Sequence, residues 1–293
     1  MSNLWYPNVK QSPLRGYTGF GGGAAGLAVH SGGLSGDPWT NDKPSWVDSS
    51  FDNLRPYFWA DFENRNGSNG LSGTTMLDRS GNGRNANTRG TENNSLVTMS
   101  LTNTNGGGTE GLNTTSRKML QGSWHSNSVV INDSNGGGWP NTSGTNGISM
   151  ITLSAYASGG DSDRLWTGGS GINWLLGHWS DQTGVAYYND GFIGGNSNSP
   201  TAQGHKFFIS YGHYESSSSY LYAHRYYGSN TVEYTTGGGT ANWPNSTQGI
   251  SINKGNHDEW SDWRLLMVGI WDMVLTSSLR TQIIDDVYQE YMN

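Results

Sequence analysis

The stretch between Asn173 and Asp190 holds the residues best suited to binding chemistry. Its sequence, NWLLGHWSDQTGVAYYND, places aromatic rings beside side chains that exchange hydrogen bonds. A sugar site needs this combination, because a ring covers the apolar face of a sugar while polar groups bind its hydroxyls. The candidate glycan-binding residues are Trp174, His178, Trp179, Asp181, Tyr187, Tyr188 and Asn189. In an alternating strand half of these aromatic residues belong to the core, and only the outward half meets a ligand.

Carboxylates in two loops form a candidate calcium site. Asp78 lies in DRSGNG, and Asp161 and Asp163 lie in DSD. Calcium prefers oxygen ligands of this kind, but the same loops also form Asx-turns without any metal, and both interpretations stay open. The seven histidines show no paired spacing, so no zinc site is predicted. No cofactor other than this calcium ion is expected.

Composition narrows the class of protein. The chain has 293 residues and a formal net charge of −7, which argues against a nucleic-acid binder. It contains no cysteine, which excludes disulfides and thiolate metal sites. No apolar run is long enough to cross a bilayer, so no membrane insertion is expected. Aromatic residues make up 12% of the chain, enough apolar surface for a folded core.

Residues 1–56 are predicted to be a separate N-terminal arm and linker. The segment LRGYTGFGGGAAGLAVHSGG (14–33) is rich in glycine, which is costly to order. No lysine follows the glycines, which excludes a phosphate-binding loop. The segment is then either a leader or an arm that orders against a partner, and we favour the arm. The predicted anchoring residues are Tyr17, Phe20, Gly21, Gly22 and Gly23.

Residues 57–293 are predicted to form one all-β domain. Short β-branched and aromatic runs divided by turn residues are typical of an antiparallel sandwich. These runs are 57–63, 95–102, 128–133, 148–156, 185–190, 205–212, 219–228, 231–236 and 263–275. The apolar spacing of LRTQIIDDVYQEY predicts a helix over 279–291, capped by the preceding hydroxyl residues. Segments 136–151 and 237–253 share a Trp-Pro-Asn corner before an Ile-Ser strand, which indicates either equivalent corners or convergent turns.

Three stretches resemble the concanavalin A-like lectin/glucanase superfamily, particularly its laminin-G-like jelly rolls. LDRSGNGRNA (77–86) resembles the loop that opens such domains, 206–228 resembles their paired strands, and 263–291 resembles their closing strand and capped helix. The resemblance implies an antiparallel jelly-roll β-sandwich over 57–293, with an extended N-terminal arm and one C-terminal helix.

Acidic residues give no catalytic pattern. Glucanases of this superfamily carry Glu-x-Asp-x-x-Glu on one strand, where the carboxylates share a face. That spacing does not occur here; HDEWSD (257–262) places Asp258 and Glu259 at adjacent positions, which point to opposite faces of a strand. We therefore expect these residues to face solvent and the chain not to be an enzyme.

The arm ahead of a lectin-like body resembles virion structural proteins of marine tailed phages, especially those that infect cyanobacteria. This resemblance implies a capsid decoration or tail-associated protein on the particle surface, displaying its jelly roll toward host-surface glycans. Its expected partners are other virion proteins, and it is expected to be present in many copies or as a homo-oligomer. The alternatives are a free carbohydrate-binding protein and, third, a glycoside hydrolase.

Overall fold

The computed structural model describes most of the chain from Trp39 onward. The described residues are 39, 43–90, 95–123, 127–131, 139–140, 147–157, 162–169, 171–188, 191–193, 205–216, 219–237, 243–245, 248–253 and 259–293. Among them no helix is long and apolar enough to cross a membrane.

Two antiparallel sheets form the body. In spatial order the first sheet contains β15 (Glu233–Gly237), β14 (Ser219–Tyr226), β13 (Phe208–Ser216), β8 (Ile148–Tyr156), β17 (Trp263–Trp271), β6 (Ser116–Gly122) and β5 (Leu101–Asn105), with β1 (Phe58–Asp61) paired to the second half of β17. The second contains β12 (Phe192–Ile193), β11 (Gln182–Tyr188), β10 (Trp174–Trp179), β9 (Trp166–Gly168), β16 (Ile250–Ile252), β7 (Ser128–Ile131), β4 (Ala86–Arg89), β3 (Thr75–Met76) and β2 (Leu71–Ser72). The predicted antiparallel sandwich is confirmed.

The first sheet is covered on both faces, which gives the described part three layers. One core lies between the sheets and includes Trp166, Trp174 and Val268. A second core lies on the other face of the first sheet, against helix α1 (Ser277–Tyr291), and includes Ile151 and Ile283. Strands β8 and β17 are therefore buried at every position, and central strands of this kind read as nearly continuous apolar runs.

Helix α1 follows directly from its sequence. The Thr276 hydroxyl accepts a hydrogen bond from the Leu279 N–H at 3.4 Å, which caps the first turn. Ile283, Ile284 and Val287 are fully buried against the first sheet. The predicted single C-terminal helix is confirmed within the described residues.

Residues before the predicted boundary at 56/57 also pack on the body. Trp39 and Phe51 are fully buried in the second core, and the Trp39 Nε1–H donates to the Phe51 carbonyl at 3.0 Å. The Asp48 N–H donates to Asp286 of α1 at 2.9 Å. The described chain from Trp39 to Pro56 is thus part of the layer that covers the first sheet.

The two Trp-Pro corners meet across the sandwich. Trp139 precedes β8 of the first sheet, and Trp243 precedes β16 of the second. Their rings are stacked with centroids 6.0 Å apart at 15°, and Trp139 Nε1 donates to the Pro244 carbonyl at 2.6 Å. The corners enter strands in different sheets and pack against each other.

Candidate functional site

The edge of the second sheet carries a partly exposed group of three rings. We call Trp179, Tyr187 and Phe192 the aromatic surface. The Phe192 centroid lies 5.0 Å from that of Trp179 and 5.2 Å from that of Tyr187. Phe192 is 43% exposed, and the other two are half-buried. Large apolar side chains this accessible are candidates for ligand contact.

The β10–β11 hairpin fixes the position of these rings. Its two turn residues, Ser180 and Asp181, have φ of 50° and 62°, the conformation of the tight turn that matches strand twist. Gly184, with φ of 75°, is the extra residue of a bulge opposite Gly177 and His178. Further along β11, pairing with β12 places Tyr187 directly opposite Phe192.

A buried arginine and a glutamate lie beside the aromatic surface. Arg164 Nε donates to Glu259 Oε2 at 2.5 Å, and its Nη1 donates to Asn173 Oδ1 at 2.7 Å. The other oxygen of Glu259 accepts from Trp179 Nε1 at 3.4 Å. Arg164 is only 5% exposed, whereas a third of the Glu259 side chain is open to solvent. Glu259 therefore links the buried cation to the exposed rings.

Negative charge surrounds this pair. Burial raises the pKa of the Tyr156 phenol well above its usual value, and Asp181, Asp163 and Glu259 add to the effect. The three carboxylates are therefore close enough to interact with one phenol. Burial lowers the pKa of Arg164, while Glu259 opposes this shift. Among the described residues, one cation, Arg164, therefore lies among three acids at this edge.

Three of the other predicted glycan contacts lie in the core. Trp174, His178 and Tyr188 are fully buried between the sheets; the Trp174 and Tyr188 rings stack at 6.2 Å. These three residues point inward along their strands and do not reach the surface. Asp181 is exposed at the hairpin turn, and Asn189 lies outside the described residues.

Sequence reasoning missed three residues of this edge. The dipeptide Asp190-Gly191 is typical of a hairpin turn. A hairpin at this point accounts for the pairing of Phe192 with Tyr187. Arg164 and Glu259 are 95 residues apart in sequence, and no local pattern connects them. Glu259 was expected to face solvent, but it forms an ion pair with a buried arginine.

Two of the three predicted calcium ligands, Asp78 and Asp163, lie in the described part of the chain. Asp78 Oδ1 accepts from the N–H groups of Trp59 and Ser80, and Oδ2 accepts from the Arg84 N–H. Its carboxylate therefore organises a turn. Asp163 is described and Asp161 is not. No group of three His, Cys, Asp or Glu side chains able to hold a metal occurs in the described part of the chain. The predicted anchoring residues, Tyr17, Phe20 and Gly21 to Gly23, also lie outside it.

The chain shares its fold with proteins of known structure, but no family is identified for it. No family model and no curated relative matches the chain. A crystal structure of an arabinofuranosidase complexed with arabinofuranosyl-α-1,2-xylobiose matches with a TM-score of 0.53 at 14% identity, over 75% of this chain and 51% of that one. This chain thus spans about half of that enzyme. A Trypanosoma rangeli sialidase mutant matches with a TM-score of 0.49 at 11% identity, over 86% of this chain and 38% of that one. Domain 4 of a Geobacillus stearothermophilus arabinanase matches with a TM-score of 0.44 at 14% identity, over 79% of this chain and 98% of that one.

These likenesses correct one expectation. The prediction that the chain is not an enzyme is contradicted, because the solved structure that shares its fold with a TM-score of 0.53 is that of an enzyme, an arabinofuranosidase. The comparisons support an all-β sandwich, and the finer resemblances to concanavalin A-like and phage proteins stay predictions.

Proposed function

We propose that this chain is a carbohydrate-binding β-sandwich whose ligand site is the aromatic surface together with Glu259. The observation that carries this proposal is the contact between exposed rings and a hydrogen-bonded charged pair: Trp179 Nε1 lies 3.4 Å from Glu259, which also holds Arg164. A sugar ring stacks on Phe192 or Trp179 while its hydroxyls donate to the exposed carboxylate.

The acidic edge and the fold likeness favour a neutral oligosaccharide. Asp163, Asp181 and Glu259 disfavour a carboxylated sugar at this site. The similar arabinofuranosidase structure holds arabinofuranosyl-xylobiose, so neutral arabinose- and xylose-containing oligosaccharides are the first ligands to try.

Calorimetric titration of the full chain tests this proposal. Trp179→Ala is expected to weaken binding of the oligosaccharide about tenfold or more, because it removes both a stacking ring and the donor to Glu259. Tyr227→Ala is the matched control, since Tyr227 is 44% exposed and its ring lies beside Gly108. Phe192→Ala gives a second variant with no hydrogen bond to lose. If folded Trp179→Ala and Phe192→Ala proteins bind as tightly as wild type, the ligand site lies elsewhere.

A second candidate function is glycoside hydrolysis at the same edge. Hydrolysis needs two carboxyl groups that flank the bond, and the accessible candidates at this edge are Glu259 and Asp181. The likeness to an arabinofuranosidase favours this chemistry. Release of 4-nitrophenol from an arabinofuranoside that is lost in both Glu259→Gln and Asp181→Asn would support it; equal release by wild type and both variants would contradict it.

We further propose that the sandwich is displayed in many copies on a tailed-phage particle, attached through residues 1–38. Support for this step comes from the sequence alone, from the glycine and aromatic residues of the arm. Mass spectrometry of purified particles tests it: a chain truncated by residues 1–38 should be made and folded but absent from the particles.

A further inference from the structure

A cleft of about 450 Å³ lies at the opposite edge of the second sheet from the aromatic surface. It opens between β2, the loop after β1 and strand β6 of the first sheet. Its lining residues are Phe62, Asn64, Gly67, Ser68, Asn69, Leu71, Ser72, Leu77 and Lys118. A volume of this size accommodates a small ligand of one or two sugar rings.

The cleft has an apolar floor and polar walls. Phe62 is fully buried and belongs to the core between the sheets, and Leu71 packs against that core. The loop above them is fixed by its own bonds: Asn69 Oδ1 accepts from the Leu71 N–H, and Ser68 Oγ accepts from the Gly70 N–H, both at 3.3 Å. Arg79 Nη2 donates to the Ser68 carbonyl at 2.6 Å from behind. The wall is therefore held in place without a ligand.

Lys118 gives the cleft its charge. On β6, Arg117 pairs with Glu290 of α1 at 2.6 Å and with Glu63 of the loop after β1 at 3.1 Å. The next side chain, Lys118, points the other way into the cleft. Within the described residues Lys118 forms no ion pair. The side chains of Asn64 and Ser72 form no hydrogen bond to any other described residue.

Two described acids in and after β1, Asp61 and Glu63, are already engaged. Both oxygens of the buried Asp61 are bound, one by Arg79 at 2.9 Å and the other by Arg65. Glu63 is held by Arg117. An unpaired ammonium beside neutralised carboxylates attracts an anionic group, even in a chain whose net charge is −7.

We propose that this cleft binds one carboxylated sugar residue, such as a hexuronate. The carboxylate accepts from Lys118 Nζ, the hydroxyls bond to Asn64 and Ser72, and the apolar face of the ring lies over Leu71. This site is independent of the proposed function at the aromatic surface, which selects neutral sugars.

Ligand-observed NMR titration of the full chain with D-galacturonate and D-galactose tests the proposal. Galacturonate is expected to bind at least tenfold more tightly than galactose, and Lys118→Gln should remove this preference. Asn64→Ala should weaken both sugars. Lys206→Gln, a half-buried lysine elsewhere, should change nothing, and Trp179→Ala should leave galacturonate binding intact.

Two results would overturn the assignment. Equal affinity for the two sugars would show that Lys118 does not recognise a carboxylate. A loss of galacturonate binding in Trp179→Ala with none in Lys118→Gln would move the anion to the aromatic surface and contradict both assignments. Loss of neutral oligosaccharide binding in Trp179→Ala, with galacturonate unaffected, is the expected pattern.

Discussion

His178 illustrates how a polar residue in a candidate motif can serve packing. Its ring is fully buried, 4.8 Å from the Tyr156 ring and 4.5 Å from that of Phe208. Neither ring nitrogen has a hydrogen-bond partner in the described structure. Burial lowers the pKa of His178 from 6.5 to about 3. The ring is therefore neutral in the folded protein and becomes charged in the unfolded chain below about pH 6.5.

This shift predicts a pH dependence of stability. Between about pH 6.5 and 3 the unfolded chain binds one more proton at His178 than the folded chain. The free energy of unfolding should therefore fall by up to about 1.4 kcal/mol per pH unit on acidification from this residue alone. His178→Phe keeps an aromatic ring and should lose that part of the slope in urea unfolding at pH 4 to 8. His205→Asn, at an exposed site, should keep it; equal slopes in wild type and His178→Phe would refute the argument.

Sequence alone could find the aromatic stretch at 173–190 but not which rings face outward. The inward residues of β10 and β11 include Trp174 and Tyr188, yet outward Leu175 and Val185 are also buried. Because both faces are apolar, hydrophobicity does not identify the core face. The bulge at Gly184 also shifts the alternation within β11.

At the level of elements, α1 holds the outer layer to the first sheet. Ile283 is fully buried in the second core, whereas Thr281 on the same helix is exposed. Ile283→Ala should lower the free energy of unfolding by about 2–5 kcal/mol, because it leaves a cavity against the sheet. Thr281→Ala should change it by less than about 0.5 kcal/mol. Chemical denaturation measures both; a small effect of Ile283→Ala would mean that the helix packs loosely.

Strand prediction succeeded where both faces of a strand are covered. The predicted run 148–156 coincides with β8, and the predicted run 263–275 contains all of β17 and extends four residues beyond it. Both runs were found because their apolar residues are nearly continuous. Strand β6 was missed because Arg117 and Lys118 interrupt its pattern while serving two different layers. Strands β2 and β3 have two residues each, too short for any periodic signal. The two strands pair with each other across a short turn, and β3 also pairs with β4.

At the scale of the whole molecule, the sheets divide the chemistry between opposite edges. The aromatic surface lies at β10 to β12 and the Lys118 cleft at β2. Ligands at the two sites therefore meet different charge: acids around Arg164 on one edge, and an ammonium beside neutralised acids on the other. If both proposed sites bind, neutral and acidic sugars of one polysaccharide would be held at separate points, and the avidity would rise.

The packing of Trp39 and Phe51 predicts where the N-terminus can be cut. The sequence predicts that the arm orders against a partner, so removal of residues 1–38 should leave the thermal unfolding midpoint within about 2 °C of wild type. Removal of residues 1–56 also deletes Trp39, Val47 and Phe51 from the second core. Truncation of a single buried aromatic residue costs about 3–5 kcal/mol, so the shorter chain should melt more than about 10 °C lower or fail to fold. Calorimetry of the two truncated proteins decides this. Equal midpoints for both would show that the outer layer begins after residue 56, at the boundary the composition alone suggested.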